Sequence, residues 1–312
     1  MQGIKHIIHI GLPKCGSTFI QKKIFKNIKS YKFKYYVDLK KYEIAIKSHI
    51  SNLKKKLSVD EKFEIDENLI ISNERLSGFC PLTFENNAEK NLNFFSANNH
   101  IIIIIREPKA FLTSCYVNMI STNNLGKNPD FFFENAIVSS NKKFWIKKFD
   151  LESFEYQKLI KAYEKRFKKV TVFKFEDLIK TKIFNEFLFS YEINFDSNLN
   201  NLNVENKSPT YFYVKSMTTF FNLVNLTLKV SRLEKLLNYF FKKNFYQDTV
   251  SINDRFISKL IRLLRLNYIF IFINKYIVRK EYELVFKNQK FYEKLKKLEI
   301  EYKNLPSKSK NY

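Results

Sequence analysis

Ile7-Ile8-His9-Ile10-Gly11-Leu12-Pro13-Lys14-Cys15-Gly16-Ser17-Thr18 joins an apolar run to a loop bounded by two glycines and then to a helix-like stretch. The whole chain has only five glycines. Placing two of them here points to backbone conformations, or a close ligand approach, that a side chain would forbid. A strand, a glycine-bounded loop and a helix start together make a cradle for an anion. Loop amides and the first turn of a helix both present N–H donors that their own chain leaves unpaired.

Buried strands are predicted at 4–10, which includes this apolar run, and at Asn68–Ser72, His100–Ile105 and Lys169–Phe175. The run Ile101-Ile102-Ile103-Ile104-Ile105 does not alternate with polar residues, as suits a central parallel strand covered on both faces. Helix-length stretches such as 17–30, 108–121 and 152–167 lie between the strands, so the expected class is α/β with a parallel sheet. From about residue 210 the pattern changes. Tyr211–Leu228, Arg232–Lys243, Asp254–Leu266 and Glu281–Lys303 carry apolar and basic residues at helical spacing. The expectation is a core over 1–210 and a helical C-terminal extension over 211–312 packed on it, a single domain overall.

With 312 residues and 45% hydrophobic content the chain can bury a sizeable core. The net charge of +24 favours anionic partners, and residues 207–312 alone hold 22 basic against 8 acidic residues. Abundant Lys, Asn, Ile and Phe throughout also fit a chain-wide compositional drift, so the charge by itself selects no partner. No zinc-finger spacing or aromatic RNA-binding motif accompanies it, and nucleic acid is not an expected partner. Cys15, Cys80 and Cys115 are too few and too scattered for a disulfide framework or a zinc site, which points to a reducing compartment and no metal. No charged segment followed by a long apolar stretch opens the chain, so no secretory signal is expected. The run Tyr268–Ile273 is broken by Asn274 and Lys275, short of a membrane span. The expected location is cytoplasmic, with peripheral contact at the inner membrane face through basic helices carrying Arg255, Lys259, Arg262 and Arg265. A solvated face is the other reading of those residues.

The loop fits the outer frame of a nucleotide-binding P-loop, yet it lacks a lysine between the second glycine and the hydroxyl residue. Its lysine is Lys14, two positions earlier, which argues against the magnesium-dependent arrangement of ATPases and GTPases. A cysteine phosphatase would need an arginine where this chain has Gln21, so Cys15 reads as a packed thiol. A second group begins where the isoleucine run ends, at Arg106-Glu107-Pro108, with Ser114 eight residues after Arg106. An arginine at the carboxyl end of a central parallel strand stands where open α/β sheets bind ligands, and it offers a planar fork of donors to phosphate. A solvated or salt-bridged arginine is the alternative.

These motifs resemble those of the sulfotransferases that use 3′-phosphoadenosine-5′-phosphosulfate (PAPS), in particular the bacterial carbohydrate sulfotransferases. Pro13-Lys14-Cys15-Gly16-Ser17-Thr18-Phe19 is similar to their 5′-phosphosulfate loop, and the Arg106 to Ser114 spacing to their 3′-phosphate motif. Phe173–Leu178 looks like their strand ending in Glu-Asp-Leu, and Asn206-Lys207-Ser208-Pro209 like an Asn-x-Ser segment. The resemblance covers about residues 4–210. It implies a three-layer α/β/α P-loop-like fold with a central parallel sheet, and sulfonyl transfer from PAPS to a hydroxyl acceptor, with 3′-phosphoadenosine-5′-phosphate (PAP) as product.

The resemblance further implies that Lys14 neutralises charge on the departing phosphate oxygen, and that the Cys15, Gly16 and Ser17 amides with the Ser17 and Thr18 hydroxyls hold the 5′-phosphate. Arg106 and Ser114 would bind the 3′-phosphate. Phe19 would stack on adenine, or else belong to the core. A base is needed to take the acceptor's proton. Glu74, in Leu69-Ile70-Ile71-Ser72-Asn73-Glu74, is the first candidate, against a structural carboxylate paired with Arg75 or Lys14. Glu43 and His49 follow as weaker candidates, His6 and His9 read as packed histidines, and Asp177 as a turn former. The acceptor class this suggests is a carbohydrate or cell-surface precursor, including acidic glycans. A divergent P-loop kinase or NTPase and a non-catalytic polyanion-binding protein are the competing readings.

Overall fold

The computed structural model describes residues 5–53, 63, 67–78, 80–123, 129–134, 149–180, 183–195 and 284–306. Its chain divides into two compact units. The first comprises Met1–Phe111, Asn135–Glu205 and Lys290–Tyr312, and the second Leu112–Glu134 and Asn206–Gln289.

In the first unit, the apolar runs become strands because each is buried on both faces. Strands β1 (His6–His9), β4 (Leu69–Ser72) and β5 (His100–Ile105) are buried at every position. With β3 (Lys34–Tyr35) and β6 (Lys169–Lys174) they form a five-stranded parallel sheet in the order β3-β4-β1-β5-β6. A separate two-residue pairing, antiparallel, joins β2 (Ile28–Lys29) to β7 (Asn194–Phe195). The sheet with its helices is the α/β organisation that the uninterrupted isoleucines predicted.

Parallel strands require crossovers, and helices supply them. The stretch after the loop is helical from Ser17 to Asn27. It opens as α1 (Ser17–Phe19), widens into a π turn over Ile20–Ile24 and tightens to a 3₁₀ turn over Phe25–Asn27. Next come α2 (Lys40–Leu53) and α3 (Phe84–Phe95), then α4 (Pro108–Asn123), which begins in the first unit and continues into the second. Helix α5 (Pro129–Phe133) belongs to the second unit. There the Asp130 carboxylate accepts the amides of Lys287 and Asn288 at 3.2 and 3.3 Å, and Phe133 packs on Phe286.

Back in the first unit, α6 (Tyr156–Glu164) packs on α3, β5 and β6. Helices α7 (Phe175–Lys180) and α8 (Ile183–Phe189) follow β6 directly. Phe184 and Phe187 of α8 pack edge-on against Phe173 of β6, an arrangement aromatic rings favour beyond simple burial. The predicted helix 152–167 starts later, at Tyr156, because the Asp150 side chain folds 150–153 into a turn by accepting the amides of Glu152 and Ser153. Of the predicted Glu281–Lys303 helix, α9 forms over Gln289–Asn304. The segments Tyr211–Leu228, Arg232–Lys243 and Asp254–Leu266, with Arg255, Lys259, Arg262 and Arg265, and the stretch Asn206–Pro209 lie outside the described residues. Among the described residues, no helix is long and apolar enough to cross a membrane.

The strand order places β1 between β4 and β5. Chain segments leaving β1, β4 and β5 therefore emerge side by side at the carboxyl edge, where the connections diverge to the two sides of β1.

Candidate functional site

The loop after β1 is built by its neighbours. The Ile10 amide still donates to Ile102 O of β5 at 3.0 Å, and the Ser77 hydroxyl, beyond β4, donates to Gly11 O at 3.2 Å. The Cys15 amide closes a turn on Leu12 O at 3.3 Å, so this amide, expected at the 5′-phosphate, is engaged within the loop. The Cys15 thiol is buried. Lys14, exposed, has the left-handed φ of 69°, and Gly16 a φ of 82°. At Gly16 a Cβ would also lie 2.0 Å from the Phe175 ring, so both the backbone conformation and the packing demand glycine. The first intrahelical bond runs from the Ile20 amide to Gly16 O, which leaves the preceding amides of the helix start without intrahelical acceptors.

Ser17 sits at that start, 5% exposed, and its hydroxyl has no partner among the described residues. Burying an unpaired hydroxyl costs free energy, so its retention needs a reason. Thr18 and Phe19 are half-buried, and Phe19 lies outside the fully buried core.

Arg106 reaches the same loop from the end of β5. Its Nη1 donates to Lys14 O at 3.1 Å, and its guanidinium lies 5.5 Å from the centre of the Phe175 ring. Its Nε is buried without a partner among the described residues. The Arg106 carbonyl accepts from the Tyr156 hydroxyl at 2.6 Å. Glu107 then caps α4: its carboxylate accepts the Lys109 and Ala110 amides at 3.0 and 2.7 Å. Ser114 stands six residues after Pro108, in the second unit, and its expected role rests on sequence spacing.

Glu74 follows β4 in a 3₁₀ turn that Asn73 caps through its side chain. Its carboxylate accepts from the Gln21 amide at 3.4 Å, and the same amide donates to Ser72 O at 3.0 Å. The Gln21 contact, rather than Arg75 or Lys14, is the partner seen among the described residues. Tyr36 also donates to Ser72 O, at 3.4 Å. Burial, with the Glu74 charge adding to it, pushes the Tyr35 and Tyr36 phenols above their ordinary value, so both remain hydroxyls.

The other candidates lie in structural settings. Glu43 pairs with Lys47 one helical turn on, at 2.6 Å. His49 is stacked on Phe94 with centroids 3.9 Å apart, and its Nε2 meets Asn91 Oδ1 at 2.8 Å. Burial holds its pKa down to about 4. His6 and His9 are buried as expected, His6 bonded to the Leu69 amide and His9 to the Ser72 hydroxyl. Asp177 falls in the first turn of α7, immediately after its strand.

Sequence reasoning gave Gln21, Phe175 and Glu176 no role in the site and did not single out Tyr302. Glu176 Oε1 accepts the Glu107 amide at 3.2 Å, and its other oxygen accepts from the Tyr302 hydroxyl of α9. Glu176 was visible inside the Phe173–Leu178 motif. The Tyr302 contact spans 126 residues and has no local signature.

Comparison of the chain with protein-family models, curated proteins and solved structures finds no match.

Proposed function

We propose that this chain is a PAPS-dependent sulfotransferase on a three-layer, P-loop-like frame with a helical C-terminal extension. The observation that carries the proposal is the convergence at one sheet edge of Lys14 and Ser17 from the β1 loop, Arg106 from the end of β5, and Glu74 from the end of β4 through Gln21. The buried, unpartnered Ser17 hydroxyl and Arg106 Nε are donors suited to an anionic oxygen. A glycine-bounded loop leading from the central strand into a helix supports a P-loop-like reading, with Lys14 ahead of the second glycine.

In this proposal PAPS is the donor substrate. The 5′-phosphate rests on the Gly16 and Ser17 amides and the Ser17 and Thr18 hydroxyls. Arg106 and Ser114 serve the 3′-phosphate, the Ser114 part resting on its spacing. Glu74 accepts the proton of the acceptor hydroxyl as that oxygen attacks sulfur. The sulfur–oxygen bond to the 5′-phosphate breaks, Lys14 neutralises charge on the departing oxygen, and PAP leaves. A carboxylate base and a basic chain fit a carbohydrate or cell-surface acceptor, made in the cytoplasm or at the inner membrane face.

Calorimetry with PAP, AMP, ADP and ATP tests the site. PAP is expected to bind at least about tenfold more tightly than AMP, which lacks only the 3′-phosphate, because an arginine–phosphate contact contributes about 1.5–3 kcal/mol. Equal affinities, or strict dependence on magnesium, would overturn the 3′-phosphate assignment and favour the NTPase reading. Lys14→Ala is expected to leave PAP affinity within a few-fold while slowing conversion of PAPS to PAP by about 10²- to 10³-fold, the usual effect of losing one preorganised charge-stabilising group.

A further inference from the structure

Arg106 carries the cationic charge assigned to the 3′-phosphate in the proposed nucleotide site, yet a carboxylate stands close to its backbone. Glu176 is adjacent to Phe175, whose ring the Arg106 guanidinium overlies, and it accepts the amide of Glu107, the residue next to Arg106. A carboxylate in that position is a ready partner for a guanidinium, and a bidentate ion pair there would consume the donors meant for phosphate. The structure instead has each Glu176 oxygen accepting a hydrogen bond from elsewhere, one from the Glu107 amide and the other from the Tyr302 hydroxyl, which together fix the carboxylate's orientation.

Tyr302 is placed to hold that arrangement. It lies on α9, which docks on the sheet unit through Glu301, whose carboxylate accepts the Gln157 amide at 2.6 Å, and through Lys294 and Lys290, paired with Glu155 and Glu152 at 3.4 and 2.8 Å. Its ring packs 6.1 Å from Tyr156, which itself donates to the Arg106 carbonyl, and the Lys174 ammonium lies 4.9 Å from its centre. Burial first, and the neighbouring Glu176 carboxylate second, push the Tyr302 phenol well above its ordinary pKa, so it stays a donor across the physiological range.

We propose that Tyr302 is a positioning residue of the anion site: by engaging Glu176 it keeps that carboxylate off the Arg106 guanidinium and leaves the arginine's charge for phosphate. The inference builds on the sulfotransferase reading, because it takes Arg106 as the phosphate ligand. It also makes α9 part of the site's construction.

Removing only the hydroxyl, by Tyr302→Phe, tests it, since the ring packing remains. In the free full-length protein, the Arg106 Nε–H resonance, assigned by its loss in Arg106→Lys, is expected to move downfield and exchange more slowly in Tyr302→Phe, as Glu176 pairs with the guanidinium. Adding Glu176→Gln, which keeps an acceptor for the Glu107 amide but has no charge, is expected to restore the parent signal. PAP affinity, by calorimetry, is expected to fall about tenfold in Tyr302→Phe and to recover in the double variant. An unchanged Nε–H resonance in Tyr302→Phe overturns the proposal. So does a loss of PAP affinity that Glu176→Gln fails to rescue, since a purely structural tyrosine would behave that way. If the parent protein binds no PAP while the resonances shift and recover as described, the positioning role stands and the nucleotide reading falls.

Discussion

At the scale of single residues, the site is marked by atoms that the free protein leaves at a disadvantage. A lysine in left-handed backbone, and a buried serine hydroxyl and a buried arginine Nε that lack partners among the described residues, all meet at the same loop. Each costs free energy of order 1 kcal/mol or more, and such costs accumulate where function requires them. Ser17 allows a clean separation of the two accounts. Replacing it with Ala removes an unsatisfied buried donor, so Ser17→Ala is expected to raise stability in urea denaturation by about 1 kcal/mol while weakening PAP binding about tenfold. Loss of stability together with unchanged PAP affinity would make the hydroxyl an ordinary part of the core.

At the scale of elements, Arg106 is aimed by how α4 begins. Pro108 occupies the first helical position, where its missing N–H is no loss, and Glu107 covers two of the remaining orphan amides. Glu107→Ala is therefore expected to lower stability by about 1–2 kcal/mol, and Glu107→Gln, which keeps one acceptor oxygen, by less. Equal melting behaviour of all three proteins would show that the cap contributes nothing. The strands around this helix were legible because β1, β4 and β5 are apolar runs buried on both faces, and β6 because Val170, Thr171, Val172 and Phe173 are strand-favouring residues in a row. Strand β3 was not legible: it is two residues long, carries Lys34, and exists because those residues pair with Leu69 and Ile70. The helix after the loop ends at Asn27, short of the predicted Ser30, where Ile28 and Lys29 instead pair with Phe195 and Asn194. The site divides in the same way. Lys14, Ser17 and Arg106 follow strand ends and were readable from local spacing. Gln21, Phe175, Glu176 and Tyr302 act through contacts between distant stretches, which no local pattern encodes.

At the scale of the whole molecule, all four histidines of the chain lie buried in the core of the first unit: His6 and His9 on β1, His49 on α2 and His100 on β5. His100 is held between two hydroxyls, with Nδ1 2.5 Å from Tyr191 and Nε2 2.7 Å from Thr171. Burial holds His6 and His49 down to about 4, and His9 and His100 down to about 3, from an ordinary 6.5. These folded-state values are depressed, so the unfolded chain takes up protons first as the pH falls. The stability they contribute is fully present above pH 6.5, declines below it, and stops declining only as the pH passes through the folded values near 4 and 3. At pH 5.5 each histidine has cost on the order of 1 kcal/mol, so the four together are expected to remove several kcal/mol between pH 7.5 and 5.5. Domains of this kind are stable by about 5–15 kcal/mol, so acid unfolding is expected well above the range in which ordinary carboxylates titrate. Urea denaturation at pH 7.5, 6.5 and 5.5 checks this. The loss should be steep below 6.5, and His49→Gln should reduce the slope by about one proton even though it lowers stability at neutral pH. A stability that is flat from pH 7.5 to 5.5 would mean that the imidazoles reach solvent and charge within the folded protein, and the buried setting described for them would be wrong.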